Sequence, residues 1–589
     1  MWRLIVRLFT LNCLVFAATS CALTQSAAQP HEEFLVEQGE IGRPGGHLVV
    51  PLRSEPKTLN PVTALDQPSR TVFALLNADL VHINRITQRT EPALAKSWKI
   101  SHDDLHYTLT LRKGIRFSDG QPFDASDVVF TFQVYLDPKL ESPQRDLLIV
   151  GGKPISVRQL GPYKVEFDFT QPYAPAERIF DSLAMLPRHL LVKAYHDGTI
   201  AQAWTLNTPP GQIAGLGPFR LKEHVPGQSI TLERNPYYWK QDSADNRLPY
   251  FDEVHFLIVP SEDAEIIRFE SGDLDLLNSF SAANYSVLAR QQAARGYRLY
   301  DLGPGLVYNF LFFNLNDLRA GAPPQLAEEQ AWFRDVRFRQ AVSAAIDREA
   351  IVRLVYQGRA TPLWGNVTPG NKLWLNQAIP HPPRSLDNAK ALLRAAGFSW
   401  NSGGALLDSR GTPVEFSILT NSSNAERTQI TTLIQNDLQQ LGMNVHVVSL
   451  DFRSMLDRIF HTFNYEAAVL GLGGGDVDPT PEMNVWMSDG STHLWHLGEK
   501  SPATPWEAEL DKLVQQQLVT MNYAKRKKIY DRAQQIIAEQ LPLICLVSPN
   551  ILAAAKTNLA NFQPSILPPY ALGNVDQLYW RQTGNVNPR

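Results

Sequence analysis

The chain has 589 residues, with 55 Lys and Arg against 59 Asp and Glu and therefore a formal net charge of −4. Hydrophobic residues make up 44% of the chain, which excludes a disordered or collagen-like protein. The near-neutral charge offers no long-range attraction to nucleic acids or anionic membranes. Three Cys residues are too few for a disulfide framework or a Cys-rich metal cluster.

The first twenty residues have the pattern of a secretory signal peptide. A short basic start with Arg3 and Arg7 precedes the mainly apolar segment 8–20, which is too short to span a bilayer as a mature helix. The small residues directly before Cys21 resemble the lipobox of bacterial lipoproteins, so we expect cleavage before Cys21 and acylation of that residue. Ordinary signal-peptidase cleavage near residues 26–28 is the alternative.

Hydrophobic periodicity predicts a mixed α/β chain after a polar linker. His47–Leu52 is predicted as a short strand. Alternation over Tyr107–Leu111 predicts a half-buried strand, and Ser126 and Asp127 are expected to cap a helix that follows. Farther along, a strand at 414–418, a helix with apolar positions from 430 to 441 and a strand from 445 form a β-α-β unit. This unit is typical of a sheet with crossover helices.

Recognisable catalytic motifs are mostly absent from the sequence. It contains no nucleophile elbow, no phosphate-binding loop and no His-Glu-x-x-His zinc motif. Two pairs of aspartates, Asp273 with Asp275 and Asp476 with Asp478, are spaced i, i+2. In a strand this spacing places both carboxylates on one face, as a paired acid and base requires, whereas in turns it is merely polar.

Three further groups of residues have an ordinary structural interpretation. His493 and His496, with Asp489 nearby, have a spacing that could bind a metal ion, but two unrelated surface histidines in a loop are favoured. The basic run Lys525–Lys528 has helical periodicity around it, which favours a solvated helix face over a nucleic-acid site. Cys545 lies in an apolar segment and is predicted to be a buried side chain, not a nucleophile.

Ten segments of the sequence resemble those of a known family. They are Ser54–Pro61, Glu91–Trp98, Tyr107–Val128, Gly217–Phe219, Glu233–Trp239, Asp252–Val254, Phe269–Asp275, Phe333–Ala341, Ala345–Arg348 and Ala395–Phe398. In this order they resemble the family 5 extracellular solute-binding proteins, the dipeptide- and oligopeptide-binding components of ATP-driven (ABC) importers. The resemblance spans about residues 46 to 545 and is specific for the family, not for a ligand.

The resemblance implies an α/β fold of the periplasmic-binding-protein type, in which two lobes close over a cleft like a flytrap. An extra subdomain is inserted in the first lobe. Carried onto this chain, the expected divisions are a signal peptide at 1–20, a linker at 21–45, lobe I at 46–77, 195–300 and 546–589, the inserted subdomain at 78–194, and lobe II at 301–545.

The resemblance also implies a ligand site between the lobes. In the family's peptide binders an aspartate preceded by a Trp pairs with the amino terminus of the peptide. Asp476 is the best match here, although the preceding Trp is missing. The complete set of candidate ligand contacts is Asp476, Gly474, Gly475, Trp486, Trp495, Tyr308 and Asn421. For the three aromatic residues, a place in the core is an equally weighted alternative.

The expected function is that of the substrate-binding protein of an ABC transporter. It captures peptides or a peptide-like solute outside the cytoplasmic membrane, where it is held as a lipoprotein through Cys21, and delivers the solute to the permease. We expect a periplasmic or extracytoplasmic monomer without catalytic residues, cofactor, metal site or nucleic-acid partner. Two alternatives stay open. The same scaffold could bind a nickel complex, haem, an opine or an oligosaccharide, and a secreted hydrolase could use one of the aspartate pairs.

Overall fold

The computed structural model describes residues 31–181, 183–318, 324–473 and 476–581. The predicted signal peptide, Cys21, Gly474 and Gly475 lie outside these ranges. Within them, no helix is both long enough and apolar enough to cross a membrane.

One large core joins the residues predicted as the inserted subdomain to those of lobe I. It contains two four-stranded sheets, each listed here in its spatial order. The first is Ala95–Ile100, His106–Leu111, Lys164–Asp168 and Ser156–Gly161, and the second is Phe219–Val225, Ser229–Arg234, Glu253–Ile258 and His47–Leu52. Short strand pairs are Leu35–Glu37 with Lys240–Asp242, Val81–Ile83 with Thr90–Pro92, Ile149–Val150 with Lys153–Pro154, and Leu559–Ala560 with Tyr579–Trp580. The α-helices are Gln67–Leu76, Ala125–Leu136, Ala176–Asp181 and Arg188–His196.

A second large core surrounds an eight-stranded sheet. Its main path is Leu276–Leu277, Ile544–Lys556, Val307–Phe313, Ala467–Gly473, Glu415–Asn421 and Asn444–Leu450, and Tyr297–Pro304 and Ala360–Pro362 also pair with Ile544–Lys556. A short pair, Ser399–Trp400 with Leu406–Leu407, lies apart from it. The α-helices are Glu262–Ser271, Ala282–Ala289, Gln292–Arg295, Pro324–Arg334, Val336–Ala345, Arg348–Leu354, Leu386–Ala395, Ala425–Gln439, Phe452–Asp457, Met483–Trp486, Pro505–Leu518 and Tyr523–Gln540.

The strand Ile544–Lys556, which we call the shared strand, belongs to both cores. Its first half pairs with Val307–Phe313, and its second half pairs with Tyr297–Pro304. Side chains in the second half alternate between the two cores, because Leu552 and Ala554 pack in the larger one whereas Ala553 and Ala555 pack in the other. The two bodies of the molecule are thus joined through a common sheet. The exact lobe boundaries stay a prediction.

The β-α-β unit predicted in lobe II is confirmed. Glu415–Asn421 and Asn444–Leu450 are parallel neighbours joined by the helix Ala425–Gln439. Gly442 has φ of +83° after this helix, a left-handed conformation that glycine adopts without steric cost.

The predicted helix near residue 128 needs a correction at its start. The helix runs from Ala125 to Leu136, and its N-cap is Asp124. The Asp124 carboxylate accepts from the Ser126 N–H, and the Asp127 carboxylate accepts from the Asp124 N–H. Asp127 is therefore the third residue of a capping box and not the cap itself.

Candidate ligand-binding cleft

A cavity of about 660 Å³ lies between the two bodies of the molecule. Its volume lies within the range of typical small-molecule sites. One wall comes from the helices and loops around Arg70, Arg85, Tyr173 and Arg178, and the facing wall comes from Leu306, Val307, Gly473, Asp476 and Asp478. Residues 566–570 close one side. Because its walls come from both bodies, its shape depends on how they are arranged.

Asp476 lines this cavity, as expected for a ligand contact. It follows the strand Ala467–Gly473 and forms an ion pair of 2.9 Å with the Nη2 atom of Arg178 on the opposite wall. Burial raises the pKa of Asp476 to about 6, and the neighbouring charge of Asp478 adds to this, although Arg178 opposes it. The carboxylate predicted to bind a cationic group of a ligand thus contacts a cationic side chain of the protein itself.

Asp478, two residues later, also borders the cavity, but it is largely buried and its carboxylate is bonded within the protein. Its carboxylate accepts two hydrogen bonds from the Arg526 guanidinium, at 2.7 and 2.8 Å, and one from the Thr480 hydroxyl at 2.6 Å. Burial alone would raise the pKa of Asp478, but the Arg526 charge and these hydrogen bonds hold it below its ordinary value. The pair leaves Asp478 unsuited to act as an acid or base beside Asp476.

The interpretation of Lys525–Lys528 as a wholly solvated helix face is therefore wrong at one position. Lys525 and Lys528 are exposed, whereas Arg526 is buried and turned toward Asp478. A helix of 3.6 residues per turn places neighbouring residues on different faces, so a run of four basic residues also has a member on the inner side.

The other aspartate pair considered for catalysis has a structural role as well. The Asp275 carboxylate accepts from Lys556 Nζ at 2.6 Å and from the Val49 N–H at 2.8 Å. These bonds tie the shared strand to the neighbouring sheet. Neither aspartate pair therefore offers two carboxylates free to act on one substrate.

The three candidate aromatic residues lie in the core of lobe II. Trp486 and Trp495 are 1% and 0% exposed, with ring centroids 6.0 Å apart, and Tyr308 is also fully buried. None of the three lines the interlobe cavity. The Trp495 Nε1–H donates to Glu507 at 3.0 Å, so its polar atom is satisfied within the protein. Of the two interpretations the sequence left open, the structure supports packing.

Asn421 was expected just after a strand, in a loop that reaches the cleft, but it is the last residue of the strand Glu415–Asn421 and does not line the cavity. Its side-chain carbonyl accepts from Arg427 Nη1 at 3.0 Å, and Arg427 Nε also donates to Asn309 at 3.3 Å. Burial lowers the pKa of Arg427. Asn421 therefore acts here as a partner of a half-buried arginine.

Several charged residues of the cleft were not predicted. Asp181 and Arg85 line both the interlobe cavity and an adjoining cavity of about 270 Å³, into which Asp79 and His82 also face. Burial raises the pKa of Asp79, and the Asp181 charge adds to it, whereas burial lowers the pKa of His82. Asp181 lies about a hundred residues after Asp79, His82 and Arg85 in the chain, and no local spacing pattern connects it to those three.

Contacts across the cleft hold the bodies close together in this structure. The Gln88 side chain donates to the Gly370 carbonyl at 2.7 Å and accepts from the Lys372 N–H at 2.8 Å. The Ala174 N–H donates to the Leu518 carbonyl at 2.7 Å. Together with the Arg178–Asp476 ion pair, these bonds describe a closed arrangement.

The architecture and the cleft can be compared with known proteins. The family model of the bacterial extracellular solute-binding proteins, family 5 (middle region), matches residues 89–493, more than half of the chain. The chain belongs to this family. The predicted resemblance is thereby confirmed.

Relatives of this family 5 protein match it over most of its length. It is 28% identical to a probable ABC transporter-binding protein of Deinococcus radiodurans over 520 residues, 84% of this chain and 85% of the relative. Haem-binding protein A of Haemophilus influenzae is 26% identical over 518 residues, 84% of each chain. The oligopeptide-binding protein AppA of Bacillus subtilis, solved with a nonapeptide, superposes with a TM-score of 0.68 at 24% identity, over 92% of this chain and 100% of AppA. The predicted two-lobed α/β fold is confirmed.

Proposed function

We propose that this protein captures a peptide or peptide-like solute in the interlobe cavity and delivers it to the permease of an ABC importer. The observation that carries the proposal is a half-buried carboxylate, Asp476, which faces a cavity between two lobes in a family 5 scaffold. A carboxylate shielded from water binds an ammonium group through a charge-assisted hydrogen bond. The protein acts as a monomeric carrier and not as an enzyme.

The Arg178–Asp476 ion pair determines what a ligand must replace when it binds. In the closed arrangement the guanidinium occupies the position next to Asp476 that an ammonium group would take. A ligand amine therefore has to replace Arg178 at this carboxylate. Arg85 and Arg178 supply positive charge on the same wall of the cavity, which suits a solute that also carries a carboxylate. Zwitterionic peptides combine both groups.

The test is to identify the natural solute. The protein is purified without denaturation, and the small molecules released from it are analysed by mass spectrometry. Calorimetric titration with the solute found, and with its N-acetylated form, then measures the contribution of the amine. We expect a peptide whose affinity falls on acetylation. A released haem, metal complex or sugar would instead support the non-peptide alternative. One relative, from Haemophilus influenzae, is named as a haem-binding protein.

The pH dependence of binding should report the state of Asp476. Since its pKa lies near 6, the carboxylate takes up a proton as the pH falls through this value and can no longer pair with an ammonium group. We expect the affinity for an amine-bearing solute to fall by about tenfold between pH 7.5 and pH 5. Isothermal titration at several pH values measures this. The Asp476→Asn variant should show no such decrease, and an identical decrease in that variant would assign the effect to another group.

We also propose that export and anchoring depend on Cys21. The motivation is the apolar segment followed by small residues directly before this cysteine. In cells that express the full chain, Cys21→Ser should move the protein from the membrane fraction to the soluble fraction. Cys13→Ser is the matched control and should leave the distribution unchanged. A wild-type protein whose amino terminus is unmodified and lies near residue 29 would contradict lipidation.

A further inference from the structure

A second cluster of titratable side chains lies in lobe II, away from the cleft. It consists of His493, Glu499 and Glu507, and one potential ligand atom from each lies within 4.8 Å of the other two. His493 and Glu499 belong to the segment before the helix Pro505–Leu518, and Glu507 lies in the first turn of that helix. None of the three lines the interlobe cavity, so ligand binding there gives them no role.

The cluster is buried, and part of it has no partner. His493 is 0% exposed, and its Nε2 atom has no hydrogen-bond partner. The nearest carboxylate oxygen of Glu507 is 3.8 Å away, beyond hydrogen-bonding distance. The Glu499 side chain is 3% exposed, and its Oε2 atom also has no partner. In the described ranges no Lys or Arg nitrogen lies within 4.0 Å of either carboxylate, so the basic groups nearest to them are the imidazoles of His493 and His496. Buried carboxylates are costly unless a cation balances their charge.

The orientation of His493 is fixed by its other ring nitrogen. Nδ1–H donates to the Val485 carbonyl at 3.0 Å, since a carbonyl can only accept. In the neutral imidazole this leaves the Nε2 lone pair directed at the two glutamates. Histidines that bind metal ions are held in the same way, by a hydrogen bond from the second ring nitrogen to a carbonyl or carboxylate.

The two glutamates are also held by neighbours. Glu507 accepts from the Trp495 Nε1–H at 3.0 Å and from the Thr504 hydroxyl at 2.7 Å. The Nδ1 atom of His496 contacts Glu499 Oε1. Each of the three side chains thus has a neighbour that fixes its position, while Nε2 of His493 and Oε2 of Glu499 have no hydrogen-bond partner and are available to bind an ion.

We propose that His493, Glu499 and Glu507 bind one divalent transition-metal ion, for which zinc is the first candidate. One imidazole nitrogen and two carboxylates form a donor set that suits this class of ion, and its charge would balance two buried carboxylates. The interpretation of His493 and His496 as unrelated surface side chains is wrong, because both are buried. A metal ion here would fix the segment before Pro505 to the helix that follows, beside Trp486 and Trp495.

The test is a zinc titration of the untagged mature chain after treatment with a chelator. Calorimetry should show one zinc ion bound per chain, and Glu499→Gln should lower the affinity by at least about 10- to 100-fold. His106→Gln removes a half-buried histidine from another cluster, with Glu166 and Asp168, and should leave zinc binding unchanged. The proposal is overturned if no zinc binds, if Glu499→Gln binds as the wild type does, or if only His106→Gln weakens binding.

A measurement on the wild-type protein keeps the test decisive if the variant does not fold. X-ray absorption of the zinc-loaded chain should show imidazole scattering together with oxygen ligands, whereas a shell of oxygen ligands alone would contradict the site. The ring centroids of His493 and Trp495 are 3.9 Å apart. A Cu²⁺ or Co²⁺ ion bound to His493 would therefore lie close to this indole and should quench tryptophan fluorescence in a saturable manner. Zinc in excess should reverse the quenching by Co²⁺, which binds such donors less tightly than Cu²⁺ does.

Discussion

Replacing Arg526 with methionine is expected to lower the free energy of unfolding by about 3–5 kcal/mol, because it leaves a buried charge without its partner. The side chains of Arg526 and Asp478 are each only 6% exposed, and they form two hydrogen bonds of 2.7 and 2.8 Å. Methionine keeps apolar contact with the Trp374 ring, over which the guanidinium lies at 4.7 Å. Urea denaturation followed by circular dichroism measures the change.

Two control variants separate the charge from the other effects of this substitution. Lys528→Met changes an exposed residue of the same helix and should alter the free energy of unfolding by no more than about 0.5 kcal/mol. The double variant Arg526→Met with Asp478→Asn removes both charges and keeps an acceptor for Thr480, so it should recover part of the loss. If Arg526→Met unfolds at the same urea concentration as the wild type, the buried pair does not stabilise the fold.

Asp476→Asn is expected to weaken the binding of an amine-bearing solute by roughly 10- to 150-fold. A charge-assisted hydrogen bond contributes about 1.5–3 kcal/mol, and each 1.4 kcal/mol corresponds to a factor of about ten in affinity. Asparagine preserves the volume of the side chain but removes the charge that faces the cavity. Calorimetry with the solute identified by mass spectrometry provides the measurement.

The N-acetylated solute is the matched control for this prediction. It lacks the ammonium group, so the wild type and Asp476→Asn should bind it with similar, weak affinities. Equal affinity of both proteins for the unmodified solute would mean that Asp476 serves only its ion pair with Arg178. The solute would then be recognised through other groups.

Elements with a regular local pattern could be predicted from the sequence. The alternation of Tyr107, Leu109 and Leu111 with threonines identified a strand because every second side chain of a strand faces the core, and all three are buried. The parallel pair Glu415–Asn421 and Asn444–Leu450 followed from two strands separated by one helix. Both inferences depend only on residues close together in the chain.

Partners far apart in the chain could not be predicted in this way. Asp476 was identified through the family resemblance, but nothing near it in sequence indicates Arg178 on the opposite wall. Tryptophans such as Trp486 and Trp495 are common both in ligand pockets and in hydrophobic cores. Only their packing in the structure shows that these two belong to a core. Arg526 looked like its basic neighbours because charge alone does not tell which side of a helix a residue occupies.

The position of the shared strand in the sequence has a consequence for how the chain matures. Residues 544–556 supply side chains to both cores, so neither core can be completed until nearly the whole polypeptide has left the ribosome. A chain that ends before this strand therefore leaves apolar surface of both cores exposed to solvent. Because both lobes need the same late segment, we expect them to complete their cores together and only near the end of synthesis.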